Sequence, residues 1–209
     1  MKRFTLNILA GLIISSTLGM AAMAQTTPNP NEIYIKRITY AGPGCRAGSV
    51  VGNISLDAKA FTLVFNEFIA EIGQNVAQGK NKTSCRVTLD IQIPNGWSYT
   101  LFDTTFRGYT YLDPGVQASI NSGYYFQASP NRVARFNHQF NGYFDDNFSI
   151  TNSIGIHEVV WSRCGRQRAL NIDTNVELSN SGTSNSGLFT VDSLDGEFKQ
   201  IFGIRWQRC

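Results

Sequence analysis

Two histidines, four cysteines and a scatter of carboxylates are the residues of this 209-residue chain whose types could do chemistry. The cysteines, Cys45, Cys85, Cys164 and Cys209, never fall in a Cys-x-x-Cys pair. Structural zinc uses closely spaced ligands, so no metal site is expected. His138 and His157 stand 19 residues apart, in "FNHQF" and "GIHEV", each flanked by apolar residues. They read as packed or surface histidines, because a base or ligand needs partners that this pattern does not supply. Glycoside hydrolysis needs only two carboxyls facing each other, and a β fold can bring these together from almost any spacing. Asp103, Asp113, Asp145, Asp146 and Glu158 are available for it. None has a distinguishing context, and Asp113 opens an Asp-Pro-Gly turn, where its side chain serves the local backbone. "FDDNFS" offers oxygen atoms to calcium but lacks the spaced acidic loop of a built calcium site. There is no Gly-x-Ser-x-Gly, no His-Glu-x-x-His and no glycine-rich strand-to-helix loop. No catalytic residue and no cofactor is assigned.

Aromatic residues are the remaining candidates. "GWSYTLF" sets Trp97, Tyr99 and Leu101 on one face of an extended segment. "RGYTYLD" sets Tyr109 and Tyr111 together, and Tyr124 follows after the turn. Planar rings in a stripe stack on sugar rings, anchor a protein partner or fill a core. Trp97, Tyr99, Tyr109, Tyr111 and Tyr124 are therefore the candidate binding residues.

The cysteines carry a different chemistry. Lys2 and Arg3, an apolar stretch from Leu6 to about Met20, and Ala22-Met23-Ala24 form a secretory signal over residues 1–24. The stretch is too short and too interrupted by Ser15, Ser16 and Thr17 for a membrane anchor. Export leads to an oxidising compartment: the cell exterior, the periplasm or the cell surface. An even number of cysteines there means two disulfides. Three pairings are possible, and Cys45–Cys85 with Cys164–Cys209 is favoured among them. Each such bridge would stabilise by about 3–4 kcal/mol in the chain-entropy account. Trp-x-Arg-Cys occurs twice, at 161–164 and 206–209. If these segments were antiparallel neighbours, their cysteines would lie at opposite ends, so the favoured pairing requires them parallel or facing across two sheets. Cleavage removes Lys2 and Arg3 and lowers the net charge from +3 to +1. No concentrated basic run points to nucleic acid.

These residues must be positioned by strands. Residues 25–32, "QTTPNPNE", read as a flexible leader. "RVTLDIQI" alternates strictly, with Val87, Leu89, Ile91 and Ile93 on one side. "IYIKRITY" alternates with Ile33 and Ile35 on one face and Ile38 and Tyr40 on the other. "SIGIHEVVW", "ALNIDTNVEL", "GLFTVD" and "FKQIFGIRW" are rich in β-branched and aromatic residues. Pro94-Asn95-Gly96 and Asp113-Pro114-Gly115 mark turns, and "SNSGTSNSG" at 179–187 marks a loop. Residues 58–72 are ambiguous. Phe61, Val64, Phe65, Phe68, Ile69 and Ile72 fit a helix between an Asp57 cap and Gly73, and the same letters also alternate; periodicity alone puts the helix slightly ahead. The expected architecture is all-β: a single antiparallel β-sandwich over residues 33–209, of jelly-roll type, with two disulfides.

In sequence order, "TYAGPGCRAGSV", "FTLVFNEFIAEIG", "CRVTLDIQIPNGW", "FRGYTYLDPGV", "WSRCG…LNID" and "RWQRC" resemble the elements of the secreted family called domain of unknown function 4360. The resemblance implies strands over 60–72 and a shared four-cysteine framework. It departs at Arg46 and Arg163, which stand beside cysteines. It supplies no activity. The expectation for function is a non-enzymatic extracellular module that binds a glycan or a protein. The alternatives are a carboxylate-dependent polysaccharide hydrolase and a structural envelope protein.

Overall fold

The computed structural model describes residues 27–127, 129–155, 157–164, 168–181, 184–190 and 198–209. The export signal read over residues 1–24 lies outside them. Among the described residues, a 3-10 turn at Pro30–Glu32 is followed by twelve strands. The first four are β1 (Tyr34–Ala41), β2 (Val50–Ile54), β3 (Ala60–Phe65) and β4 (Ala70–Ile72). Then follow β5 (Lys82–Gln92), β6 (Trp97–Leu112), β7 (Val116–Phe126) and β8 (Ala134–Asn141). The last are β9 (Phe144–Ser153), β10 (Leu170–Asn180), β11 (Gly187–Thr190) and β12 (Phe198–Arg208). No α-helix occurs among the described residues.

The strands form two antiparallel sheets. One has the order β1-β5-β10-β7-β8. The other runs β2-β3-β12-β6-β11-β4, with β9 added along β6. Each sheet buries one face against the other, so the core is a layer of alternating side chains. Phenylalanines dominate it. Phe61 stacks on Phe202 at 4.6 Å and Phe68 on Phe198 at 4.9 Å, while Phe136 of the first sheet meets Phe202 of the second at 6.2 Å. This is the two-layer antiparallel sandwich that the alternation predicts.

Within residues 58–72, 60–65 and 70–72 are strands, as the family resemblance implies, joined by an irregular stretch at 66–69, and the helical periodicity misleads. Phe61, Leu63 and Phe65 are fully buried while Thr62 and Val64 between them are only half-buried. A period of two therefore governs, and β-branched residues hold the extended backbone. Asp57 does cap, but it caps a hairpin: its carboxylate accepts from Ser55 Oγ at 2.6 Å and from the Lys59 amide at 3.1 Å. The segment "SIGIHEVVW" at 153–161 reads as a strand in sequence, but beyond Ser153, which ends β9, its described residues hold no strand. The chain still bonds β6, through the Ile154 amide on the Phe102 carbonyl and the Ser162 amide on the Tyr99 carbonyl.

Both predicted turns form. Val116 N–H closes the Asp113-Pro114-Gly115 turn on the Asp113 carbonyl at 3.0 Å, with Gly115 at φ 82° and Gly96 at φ 78° in the preceding turn. Disulfides join Cys45 to Cys85 and Cys164 to Cys209. The second is possible because Ile154 and Ser162 meet Phe102 and Tyr99 in antiparallel order on one edge of β6, while β12 runs antiparallel along the other. The two Trp-x-Arg-Cys stretches thus run parallel, and their cysteines arrive at the same end.

Candidate functional site

The structure separates the five sequence-predicted aromatic residues. Trp97, Tyr99 and Tyr124 are buried, whereas Tyr109 and Tyr111 lie half-buried on the outer face of the larger sheet. A β-bulge causes the division within β6. The pairing with β12 passes from Asp103↔Gly203 to Leu101↔Ile204, leaving Phe102 as an extra residue. One unpaired residue reverses the facing of all side chains beyond it. Odd positions point inward before Phe102 and outward after it.

The buried three are structural. Tyr99 packs edge-on to Phe126 at 5.3 Å, and its burial raises its pKa. Trp97 lies under the Arg208 guanidinium, 4.2 Å from the ring centre. Tyr124 joins the sheets. Its hydroxyl donates to the Leu101 carbonyl at 2.7 Å, meets Thr100 Oγ1 at 2.9 Å and accepts from the Val160 amide at 3.3 Å. Burial, first among the causes, raises its pKa as well.

Tyr109 and Tyr111 end in carboxylates. Tyr109 donates to Asp145 at 2.6 Å, which pushes its pKa up to about 12. Tyr111 donates to Asp113 at 2.5 Å, and the other oxygen of Asp113 accepts the Ser186 amide at 2.7 Å. These two bonds hold the Asp113 carboxyl below the usual carboxylate range. The exposed Tyr143 stands edge-on to Tyr111 at 6.4 Å. The hydroxyls of Tyr109 and Tyr111 are thus already answered by a neighbour.

The outer face of the smaller sheet differs. Register places its outward side chains in rows across the strands. One row is Ser84, Asn175, Asn121 and Asn137; the next is Arg86, Asp173, Gly123 and Arg135; the next includes Thr88, Asn171 and Tyr125. No aliphatic side chain stands in these rows. Asn121, Asn137, Asn175, Arg86 and Arg135 are all exposed. The surface is hollowed into a groove of about 380 Å³ lined by Arg86, Asn121, Tyr125, Arg135, Asp173 and Asn175, with Pro130 and Val133 among its walls. Gly123 forms part of the floor. A Cβ there would stand 3.1 Å from the Ala134 carbonyl oxygen and from Val133 Cγ1, so a larger residue would crowd the wall. A second depression of about 380 Å³ continues over β1 and β5, lined by Arg37, Thr88, Asp90, Gln127 and Arg168.

Inside the groove Arg86 grips Asp173 through two bonds, Nε to Oδ1 at 2.5 Å and Nη2 to Oδ2 at 3.0 Å. The Asp173 carboxylate raises the Arg86 pKa. A guanidinium has five N–H donors, so the pair is fixed in orientation and still offers three. Asn121 and Asn175 are joined only by a long contact of 3.5 Å. Their remaining donors and acceptors face solvent.

None of the groove residues was singled out in the sequence. A signal was present: asparagine is depleted in strands, yet "INSG", "RFNHQ" and "NIDTN" place it at successive outward positions. His138 packs edge-on to Phe140 at 4.9 Å, and His157 is exposed in a turn. Among the described residues, no three His, Cys, Asp or Glu side chains converge as metal ligands, and no helix is long and apolar enough to cross a membrane.

The fold and this face define a disulfide-braced β-sandwich with a polar groove on one outer surface. Residues 31–209 match the family model described as Domain of unknown function (DUF4360), and the chain belongs to that family. An uncharacterized secreted protein of Arthroderma benhamiae is 33% identical over 182 residues, covering 87% of this chain and 74% of the relative. A secreted protein is what this chain also is. Among solved structures, TmCBM61 in complex with β-1,4-galactotriose is similar at a TM-score of 0.27 and 9% identity, over 83% of this chain and 90% of that one. The arabinose-bound α-L-arabinofuranosidase MgGH51 gives 0.30 and 12%, over 87% of this chain and 25% of that one. At these scores neither likeness bears on ligand or activity.

Proposed function

We propose that the protein is a non-enzymatic module that binds an extracellular polysaccharide in the groove of the smaller sheet. The observation that carries this reading is the uncovered polar face: asparagines, an arginine–aspartate pair and Tyr125 around a groove of about 380 Å³. Asn presents a donor and an acceptor side by side, Arg presents donors and Asp acceptors, each in a plane, which suits neighbouring sugar hydroxyls that both donate and accept. An aromatic body with a polar tip suits the apolar C–H face of a sugar ring. The groove volume falls within the range of small-ligand sites, near its lower end.

Two arguments favour binding over hydrolysis. Asp173, the only carboxylate among the described residues that line the groove, is held by Arg86. The next carboxylates on this face are Asp90, four residues along β5 from Arg86, the partner of Asp173, and Glu177, four residues along β10 from Asp173 itself. Each is thus about 13 Å from Asp173 along the strands, beyond the roughly 5–9.5 Å that glycosidase pairs use. In the turn between β6 and β7, Asp113 is held as a carboxylate, which unfits it as a proton donor at neutral pH.

The test is affinity electrophoresis and titration calorimetry against a panel of soluble polysaccharides, with reducing ends assayed in parallel. Retardation by at least one polymer without release of reducing sugar is expected, and Asn175→Ala should weaken it about tenfold, the loss of one or two hydrogen bonds. Polymer cleavage, or no retardation across the panel, would refute the reading.

A further inference from the structure

We propose, resting on the glycan-binding reading, that the polymer is acidic and is held through the anionic groups on its sugar units. The five strands of the smaller sheet carry three carboxylates, Asp90, Asp173 and Glu177. Each faces its own cation: Arg37 at 3.9 Å, Arg86 at 2.5 Å and Lys82 at 2.7 Å. Two cations remain. Arg135 of β8 lines the groove, and Arg168 lines the adjoining depression. Both are exposed, and neither makes an ion pair among the described residues. Among the described residues, the groove and the depression are therefore lined by four arginines, Arg37, Arg86, Arg135 and Arg168, against two aspartates, Asp90 and Asp173, on a chain whose net charge without Lys2 and Arg3 is only +1.

The placement argues for a polymer rather than a single small anion. Arg135 stands on the edge strand β8, while the Arg168 depression lies over β1 and β5, three strands away. Three inter-strand spacings span on the order of 14 Å. One small anion would reach one arginine, whereas a chain with charges on successive units would cross the asparagine rows and meet both. A guanidinium binds carboxylate and sulfate oxygens alike through paired N–H donors. The shared chemistry is an oxyanion on the sugar, from a uronic acid or from a sulfate ester.

The experiment measures binding to matched pairs: polygalacturonate against fully methyl-esterified pectin, and dextran sulfate against dextran. The protein is compared with Arg135→Gln, Arg168→Gln and the double variant, each checked for an unchanged melting curve. The acidic member of at least one pair should bind at least tenfold tighter than its neutral partner. The double variant should lose that preference, and raising the salt from about 50 to 300 mM should weaken the acidic complex several-fold as the charges are screened. Preference within the first pair alone identifies the uronate, and within the second alone the sulfate. Equal binding of acidic and neutral partners would overturn the inference and leave the glycan-binding reading standing. So would a preference that survives in the double variant, or equal binding of duplex DNA. Silence toward every polymer would overturn both.

Discussion

Tyr124 and Tyr125 are consecutive, and β7 sends them to opposite faces, so substituting each should damage a different property. Tyr124→Phe removes one hydroxyl from a fully buried position. The Leu101 carbonyl loses a 2.7 Å donor and the Val160 amide loses a 3.3 Å acceptor, while Thr100 keeps its 2.7 Å bond to the Val160 carbonyl. A buried polar group left without its partner costs about 1–3 kcal/mol, so the two together should cost about 2–4 kcal/mol, the longer bond counting less. In a domain this size 1 kcal/mol moves the melting temperature by about 2–4 °C, which gives a fall of roughly 5–15 °C. Tyr125→Ala removes a half-buried ring from the outer face and leaves no buried group unpaired. Its stability cost should stay within about 1 kcal/mol, while polysaccharide affinity falls about tenfold. Scanning calorimetry and guanidinium unfolding with the disulfides intact measure the first property, and affinity electrophoresis the second. A Tyr124→Phe protein that melts within 1 °C of the parent would refute the hydroxyl's role in joining the sheets. A Tyr125→Ala protein that binds like the parent would refute the assignment of the groove.

Two further outcomes follow from particular contacts. Replacing Cys45 and Cys85 together by serine opens a loop with a sequence separation of 40 and should cost about 4 kcal/mol in guanidinium unfolding, with the protein still folded at 25 °C through its second bridge. Tyr109 should ionise at about pH 12, because losing its proton breaks the bond to Asp145 and places two negative charges together. In Asp145→Asn an absorbance titration near 295 nm should show one tyrosine moving down toward the ordinary value near 10; an unchanged curve would contradict the hydrogen bond.

The sequence showed the sandwich more clearly than the binding face. Strict alternation in "RVTLDIQI" and glycine turns at 96 and 115 are local, and local rules read them. Single extra residues defeated the assignment of faces. The bulge at Phe102 turned Trp97 and Tyr99 inward but Tyr109 and Tyr111 outward within one strand. A second irregularity, between Ile35 and Arg37, let Ile35 and Ile38 both pack against the core although their numbers differ in parity. Residues 58–72 misled because Phe61, Phe65, Phe68 and Ile72 satisfy spacings of three and four by coincidence; burial, which requires the partner sheet, chose the period of two. The groove was hidden for a third reason. Asn121, Asn137 and Asn175 lie far apart in the chain and become neighbours only through the β10–β7–β8 register.

The two outer faces show why aromatic content alone misplaces a binding site. The larger sheet shows more tyrosine, and stripe reasoning points there. Its tyrosine hydroxyls are tied to Asp145 and Asp113, and a ligand would have to break short bonds to carboxylates before gaining its own. The smaller sheet shows fewer rings, but its Asn121–Asn175 contact is long and its Arg86–Asp173 pair leaves donors over. A ligand there adds hydrogen bonds without first removing any, and Arg135 and Arg168 add charge that no ion pair among the described residues answers. Net affinity follows the bonds gained minus the bonds displaced. By that measure the asparagine rows, and not the tyrosine stripe, are where a sugar polymer should settle.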